Sequence, residues 1–496
     1  MKLFQTKPTI NDLISGFFVF LLAMPLSLGI AKASNFPPLI GLFTAGIGGL
    51  FVSFFSGSPL SIKGPAAGLI VIVAGSVTEL GNGDFYQGWI LTTGVLFASS
   101  LLQILFGKLR VGRFIDFFPL PSIQGMLSAI GVIILSKQVH IILGNSPLNE
   151  SGKPIIEPIE LFLAIPNSLA QINHVSTILG LLSLTIVLTW HRIPILILRK
   201  IPAPLVVLAV TIPLGMVLKL PSNQTISFEK GFFQTLDFKL TLDGWEQTGS
   251  FIKYVFLFAI IGSLESLLTV RAVDMQTQQS PKSNPNKDLF SIGIGNLLGS
   301  LFGALPMISE VARSSANISS GAKSYWSSFF HGLFLFIFLA FSFQFSGIIP
   351  TAALSALLVA VGFRLLNPRE FFRIFQLGKV QFFIFFTTII VTLFSDLLLG
   401  IASGIFLKIL IHLLRGISIQ RIFHAKRNWE GNTLMVHEAA TFANWLGIQK
   451  EINSKKRNEE IVIDFSNCTF VDQAVKENIL HLSLDFSKEG GSLTFR

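Results

Sequence analysis

The chain has little charge. Asp, Glu, Lys and Arg make up 13% of its 496 residues, while 51% are hydrophobic. That excludes an ordinary soluble protein, because a soluble chain of this length needs far more charge to stay in solution. A single cysteine, Cys468, excludes an intramolecular disulfide and reads as a buried structural thiol. The histidines, among them His140, His191, His331 and His412, show no ligand spacing, so no metal is expected from them. Gly295, Gly299 and Gly303 recur every four residues, but they follow no strand and lack the nucleotide fingerprint, so they read as close helix packing. A cleavable signal peptide is not expected, since Leu13 to Ile30 runs on without a small-residue cleavage pattern.

What the chain does contain is apolar sequence in runs long enough to cross a bilayer. About fourteen segments fit a ~30 Å hydrocarbon core. The first seven have cores at Leu13–Ala31, Leu39–Phe55, Pro65–Val77, Trp89–Phe106, Ile123–Leu143, Val175–Trp190 and Ala203–Val217. The second seven lie at Phe251–Val270, Phe290–Phe302, Ser309–Ser319, Phe329–Phe345, Thr351–Phe363, Phe382–Phe394 and Leu397–Leu413. The polar stretches Asn145–Glu160 and Lys219–Gln247 are expected as outer loops, and the 49 Phe suit lipid-facing and packed surfaces.

The net charge of +10 does not call for nucleic acid, because the basic residues fall where topology explains them. Lys2 and Lys7 precede the first segment; Lys108, Arg110 and Arg113 follow the fourth; Arg192, Arg199 and Lys200 follow the sixth. Arg364, Arg369, Arg373 and Lys379 follow the twelfth, and Arg415, Arg421, Lys426 and Arg427 follow the last. All lie on the side of the N-terminus, which the positive-inside rule makes cytoplasmic. Both termini are therefore expected inside, with the lipid bilayer as the chain's partner.

Two interruptions break this apolar pattern. One is Ser61-Ile62-Lys63-Gly64-Pro65-Ala66-Ala67-Gly68; the other runs from Gly303 through Pro306 to Ser315. Irregular backbone in a membrane is tolerated only where protein or a wet cavity satisfies its polar groups, so each break predicts a half-helix starting at a buried site. The breaks fall in the third segment of each set of seven. An odd number of segments per set inverts the second relative to the first, which is the pattern of an inverted repeat with substrate near the midplane. Helix N-termini present free N–H groups and a positive dipole end, so the expected ligand is an anion.

Single residues sharpen this reading. Glu265 lies inside the apolar run Phe251–Val270, where a carboxylate is costly unless it is protonated, paired or hydrated. It is read as a coupling residue, with an ion pair to Arg271 or Arg313 as the structural alternative. Arg313, within a turn of Ser309 and Glu310, either lends positive potential to the anion or neutralises Glu310. Lys63 is expected to snorkel to water. Ser309 and the amides of Ala66, Ala67 and Gly68 offer an oxyanion hydrogen bonds weak enough to allow release.

After Arg415 the charge content rises. Glu460–Phe465 reads as a buried strand, Asp472–Leu484 as a helix and Gly491–Phe495 as another strand. This predicts a small cytoplasmic α/β domain over 430–496 whose closing elements are not visible after Phe495, while 1–415 forms the membrane domain, with repeats over about 1–220 and 245–415.

On these residues the chain resembles the sulfate permease (SulP) family of inorganic anion transporters. The resemblance is carried by Ile62-Lys63-Gly64-Pro65-Ala66-Ala67, by Gly262-Ser263-Leu264-Glu265-Ser266-Leu267-Leu268-Thr269, and by Arg313-Ser314-Ser315-Ala316-Asn317. Val462-Ile463-Asp464-Phe465-Ser466 followed by Val471-Asp472 looks like a STAS domain. Gln473 and Ala474 stand where related anti-sigma antagonists carry a phosphorylatable serine, so phosphoswitching is not expected. The resemblance implies an all-α polytopic fold shared with uracil permeases, in which a core domain moves against a gate domain and the anion sits between the third and tenth segments. It places Leu26 and Ser27 against the cavity, beside Gly64, Pro65, Ala66, Ala67, Gly68, Ser309 and Arg313. It also implies a homodimer, since STAS-like modules often sit at the dimer interface.

In sodium-coupled members a carboxylate and a threonine on the eighth segment join backbone of the tenth around the cation. The matching positions are Glu265 and Thr269, with Ser309, Glu310 and Val311. Glutamate replaces the aspartate of those members and Glu310 adds a carboxylate, which turns the expectation toward protons. The reading is a non-enzymatic secondary transporter of a sulfate- or bicarbonate-class oxyanion, without a cofactor, driven by protons through Glu265 and Glu310, with Thr269 joining them as a coupling-ion residue. Alternatives are a sodium-coupled bicarbonate carrier with sodium at Glu265, Thr269, Ser309 and Val311, a dicarboxylate carrier, a gated anion channel, or a membrane-anchored scaffold.

Overall fold

A computed structural model describes residues 7–112, 119–149, 155, 157–195, 201–228, 232–277, 283–395 and 397–496. Lys2, Arg113, Arg199 and Lys200, which carry part of the charge-topology argument, lie outside the described residues. Each of the fourteen expected segments contains a helix. The first seven are Ile10–Ala33, Pro38–Leu50, Ile70–Leu80, Phe85–Lys108, Leu120–Ile142, His174–Thr189 and Ala203–Val217. The second seven are Thr248–Thr277, Pro285–Leu301, Val311–Ser319, Trp326–Phe341, Thr351–Leu365, Lys379–Phe394 and Leu397–Leu414. Among the described residues, eight helical stretches are individually long and apolar enough to cross a membrane. The half-helices Ile70–Leu80 and Val311–Ser319 are among the short ones because each gives its first residues to an extended strand.

Local chemistry sets the ends of these helices. Thr9 caps the first one reciprocally: its hydroxyl accepts from the Asp12 N–H at 3.2 Å, and Asp12 accepts from the Thr9 N–H at 3.3 Å. Asp12 is wholly buried and also accepts from the N–H groups of Lys323 and Ser324, each at 2.9 Å. One carboxylate thus fixes the start of the first helix to the loop after the tenth.

Among the described residues, two helices of nine or more residues lie between the expected segments. Pro158–Ala170 sits between the fifth and sixth segments, and Pro368–Gln376 sits between the twelfth and thirteenth. They occupy equivalent places in the two sets of seven, and each starts with proline in its first turn, where the missing N–H costs nothing. The stretch Asn145–Glu160, expected as an outer loop, therefore runs into a helix at Pro158. That helix has 13 residues and buries only Leu161, Ala164 and Ser168. His140 secures it, with Nδ1 2.7 Å from the Ser168 hydroxyl and Nε2 2.9 Å from the Leu161 carbonyl.

The chain divides into two compact units, one comprising residues up to Gly112 with Ile130–Leu366, the other the stretch ending at Ala129 with Asn367–Arg496. In the second unit a five-stranded sheet begins at Lys426. Strand Lys426–Glu430 pairs antiparallel with Thr433–Ala440, which runs parallel to Glu460–Asp464, which in turn runs parallel to Ser492–Phe495. Cys468–Val471 pairs with the far end of Thr433–Ala440. Helices Trp445–Ile452 and Gln473–Lys488 cover the sheet, and Val436, Trp445, Ile448, Ile463, Ile479 and Phe486 fill its core. The two strands and the helix expected after Glu460 are present. The hairpin Lys426–Ala440 was not expected, because its first strand is charged and mostly exposed and reads as loop.

Candidate functional site

The two breaks meet. Strand Ile62–Pro65 pairs antiparallel with strand Met307–Glu310 in the register Ile62↔Glu310, Lys63↔Ser309, Gly64↔Ile308 and Pro65↔Met307. A 3-10 turn, Ala67–Leu69, leads from the first strand into Ile70–Leu80, and Val311–Ser319 follows the second strand directly. Because the strands are antiparallel, the half-helices leave from opposite ends of the ribbon. Their N-terminal starts are therefore separated only by its length, about 10 Å at ~3.3 Å per residue.

A buried ion pair anchors the ribbon. Lys63 Nζ lies 2.9 Å from Asp288 on the ninth helix, and both side chains are 1% exposed. Lys63 also donates to the hydroxyls of Ser56 and Ser61. Asp288 accepts from Ser56 Oγ at 3.0 Å, from the Gly57 and Ser58 N–H groups at 3.2 Å, and from Ser309 Oγ at 2.7 Å. Lys63 therefore does not snorkel. An ammonium at such depth is costly unless a carboxylate and further acceptors replace its water, and Asp288, Ser56 and Ser61 supply them.

The same carboxylate holds Ser309. Its hydroxyl is donated to Asp288 and its N–H to Ser266 Oγ at 3.3 Å, so it anchors the ribbon and has no proton to offer an anion. Asp288 and Ser266 are the functional-region residues that sequence reasoning missed. Asp288 lies in the polar run Asn284-Pro285-Asn286-Lys287-Asp288, which reads as a loop end, and only the match of one buried lysine to one buried acid would have found it.

Arg313 bridges the two half-helix starts. It stands in the first turn of Val311–Ser319 and its side chain is 1% exposed. Its Nη2 donates to Ser27 Oγ at 3.1 Å and to the Pro65 carbonyl at 3.4 Å, while Nε lies 3.8 Å from Glu310 Oε2. A Cβ on Gly64 would lie 2.1 Å from Nη1, so glycine there is what lets the guanidinium in. Nε and Nη1 are buried without a hydrogen-bond partner. Ser27, Gly64, Pro65 and Arg313 are thus brought together, with Leu26 and Ala66 buried beside them in the chain. Ala67 and Gly68 begin the third half-helix, where their own N–H groups precede the first intrahelical bond.

Each half-helix start also faces a carboxylate of the chain itself. Glu265 reaches the third: a Cβ on Gly68 would lie 1.9 Å from its Oε1, and that oxygen is buried without a hydrogen-bond partner. Thr269, one turn further along, is 1% exposed. Glu310 caps the tenth, with Oε1 accepting from the Ala312 N–H at 3.2 Å and Oε2 from the Arg313 N–H at 2.8 Å. Of the positions matched to a sodium site, Ser309 and Val311 flank the capping Glu310, and Val311 is 45% exposed.

Residues 10–388 match the sequence profile described as "Sulfate permease family". The chain belongs to the sulfate permease family. It is similar to the putative sulfate transporter YvdB of Bacillus subtilis, at 28% identity over 427 residues, covering 83% of this chain and 75% of the relative. It is also similar to the bicarbonate transporter BicA of a Synechocystis species, at 25% identity over 400 residues, covering 80% and 68% of the two chains. Among solved structures, the transmembrane domain of a cyanobacterium bicarbonate transporter BicA matches with a TM-score of 0.69 at 25% identity, covering 79% of this chain and 96% of that one. The overall structure of SLC26A9 matches with a TM-score of 0.71 over 98% of this chain and 84% of that one; at 17% identity it speaks to the fold alone. The sulfate permease fold, with its membrane domain and the STAS-like sheet after it, is the architecture expected from the sequence.

Proposed function

We propose that this family member is a secondary active transporter of a small inorganic oxyanion of the sulfate or bicarbonate class, with proton coupling through Glu265. The observation that carries the reading is Arg313, a buried guanidinium that spans both half-helix starts while two of its nitrogens lack a partner. Unpaired donors of this kind are costly in a membrane interior, and an oxyanion held between Arg313, Ser27 and the first-turn amides after Pro65 would satisfy them. The names of the relatives, sulfate and bicarbonate transporters, support the same class.

Proton coupling is supported by the orphaned Oε1 of Glu265 at the third half-helix start. A carboxyl there can carry a proton in a place where a bare charge is expensive. Glutamate where sodium-coupled members carry aspartate, with Glu310 as a second carboxylate, favours protons over sodium. The distribution of basic residues supports a place in the cell membrane with both termini in the cytoplasm, and the STAS-like module supports the homodimer that the family resemblance implies. Uptake into proteoliposomes under imposed proton or sodium gradients tests the proposal, with sulfate, bicarbonate, chloride and dicarboxylates compared. Concentrative oxyanion uptake driven by a proton gradient is expected. Uptake driven only by sodium would overturn the coupling assignment.

A further inference from the structure

We propose that the Glu310 carboxylate is a tethered competitor of the transported anion: it holds the start of the tenth half-helix, and the anion binds there by displacing it. The proposal rests on the transport reading above and adds to it a determinant of affinity and of substrate class.

The geometry is that of a bound ligand. Each oxygen of Glu310 takes its own backbone donor, Oε1 from Ala312 at 3.2 Å and Oε2 from Arg313 at 2.8 Å. These are the first-turn N–H groups to which a helix start would otherwise bind an external oxyanion. Arg313 Nε lies 3.8 Å from the same Oε2, so the carboxylate also draws on the cation that serves the site. That cation is underused, since its Nε and Nη1 are buried without a hydrogen-bond partner. A carboxylate 3.8 Å away therefore holds the guanidinium only loosely, and an anion seated directly against it would gain the contacts that Glu310 does not make.

Glu310 is also placed to leave. Its side chain is 22% exposed whereas that of Arg313 is 1% exposed, and the next residue, Val311, is 45% exposed. The competitor can swing toward the open side while the cation stays. The surrounding charges sharpen the competition. Lys63 and Asp288 neutralise each other on the ribbon, and Glu265 stands at the other half-helix start. Arg313 is then the cation shared by Glu310 and the incoming anion.

This arrangement also selects for shape. A ligand that replaces Glu310 meets two N–H groups set to receive two oxygens carried on one atom. Sulfate and bicarbonate present such a pair, and chloride does not. Displacement therefore favours oxyanions over halides at this end of the site.

The test is anion binding by the purified full-length protein in nanodiscs, measured by calorimetry at one fixed pH with sulfate, bicarbonate and chloride. The Glu310→Gln variant keeps a side-chain oxygen to cap the helix but loses the competing charge. It is expected to bind sulfate and bicarbonate at least about tenfold more tightly than the wild type, with chloride changed less. Glu310→Ala serves the same comparison should the glutamine variant fail to give a monodisperse, cooperatively melting protein. Oxyanion binding by the wild type that is unchanged or weaker in the folded variant would overturn the competitor role alone. Absence of oxyanion binding in both wild type and variant would overturn the transport reading beneath it as well.

Discussion

Lys408 Nζ lies 2.9 Å from Asp472 Oδ2, with the two side chains 2% and 1% exposed. Lys408 belongs to the last membrane helix, and Asp472 precedes the helix Gln473–Lys488 of the STAS-like domain. His412, one turn after Lys408, places Nε2 3.5 Å from the same oxygen, and the Phe442 ring lies 4.7 Å from Lys408 Nζ. Where a phosphorylatable module would carry a switch, this chain uses the neighbouring aspartate to fasten the domain to the membrane helix. Removing one partner of such a pair leaves the other charged and buried, a cost of about 3–5 kcal/mol. Asp472→Asn is therefore expected to loosen the domain, seen as faster limited proteolysis after Arg415. Replacing both partners together, Lys408→Met with Asp472→Leu, should restore much of the protection, because no stranded charge remains.

The same pair sets a pH dependence. Burial would raise the Asp472 carboxyl, but Lys408 and then His412 overcome this and hold it below the usual carboxylate range. A carboxyl depressed in the folded state contributes stability that is fully present above its unfolded value, about 3.9, and is lost as pH falls through the folded value. Domain docking should hold from neutral pH down to about 4 and weaken below it. Proteolysis in acid, or tryptophan fluorescence of Trp445, would follow this. Equal loosening between pH 7 and pH 5 in wild type and Asp472→Asn would show that another group controls docking.

Much of the transport domain was legible in the sequence, because segment length and the two glycine-proline breaks are local signals. Gly64, Pro65 and Pro306 announced the half-helices, and the odd count of segments announced their inversion. The antiparallel pairing of Ile62–Pro65 with Met307–Glu310 was not legible, since its partners lie about 245 residues apart and each strand is only four residues long. Lys63 was misassigned, and the partner of Ser309 went unseen, for the same reason. Alone, each looks available for water or an anion, and only Asp288, brought in by the ninth helix, consumes them both. Glu310 was recognised as an acid near the site, but its cap depended on knowing that the helix starts at Val311.

Asp288 should consequently be more damaging to lose than any residue of the anion site. Asp288→Asn leaves Lys63 charged with only hydroxyl and carbonyl partners and is expected to cost about 3–5 kcal/mol. Loss of monodisperse protein by size-exclusion chromatography is the expected result. Lys63→Met with Asp288→Leu should recover folded protein better than either single change. An Asp288→Asn protein with unchanged melting temperature would show that the ribbon needs no anchor.

Gly64 and Gly68 separate folding from binding. A side chain at either position meets the far end of a flexible residue, Arg313 Nη1 at 2.1 Å or Glu265 Oε1 at 1.9 Å, rather than backbone. The fold can therefore absorb the change by moving those ends, which are the groups the site needs. Gly64→Ala and Gly68→Leu are expected to leave most of the folded protein intact while weakening oxyanion binding by about tenfold or more. Calorimetry showing wild-type affinity in both variants would place the site elsewhere.

Glu265→Gln tests coupling without changing volume. The amide fills the space beside Gly68 but cannot exchange a proton, so gradient-driven uptake should fall to background while the melting temperature stays near that of the wild type. Anion exchange without a gradient can survive in this variant, since Arg313 and Ser27 are untouched. Full concentrative uptake by Glu265→Gln would remove Glu265 from the coupling path.

Alternating access separates a carrier from a channel built on the same half-helices. If the two repeats rock around a fixed midplane site, the inner and outer approaches to Arg313 are open in turn and never together. Cys468 is the only native thiol, so replacing it gives a clean background for single cysteines placed on either approach. Conditions that favour labelling from one side should then suppress labelling from the other. A channel in its open state would admit reagent to both sides at once and carry anion currents far above carrier turnover. Neutralising Glu265 divides the cases further, because a carrier loses its driving force while a pore loses nothing it needs for conduction. Large currents that persist in Glu265→Gln, together with simultaneous labelling of both approaches, would recast Arg313 and the facing half-helices as a selectivity filter.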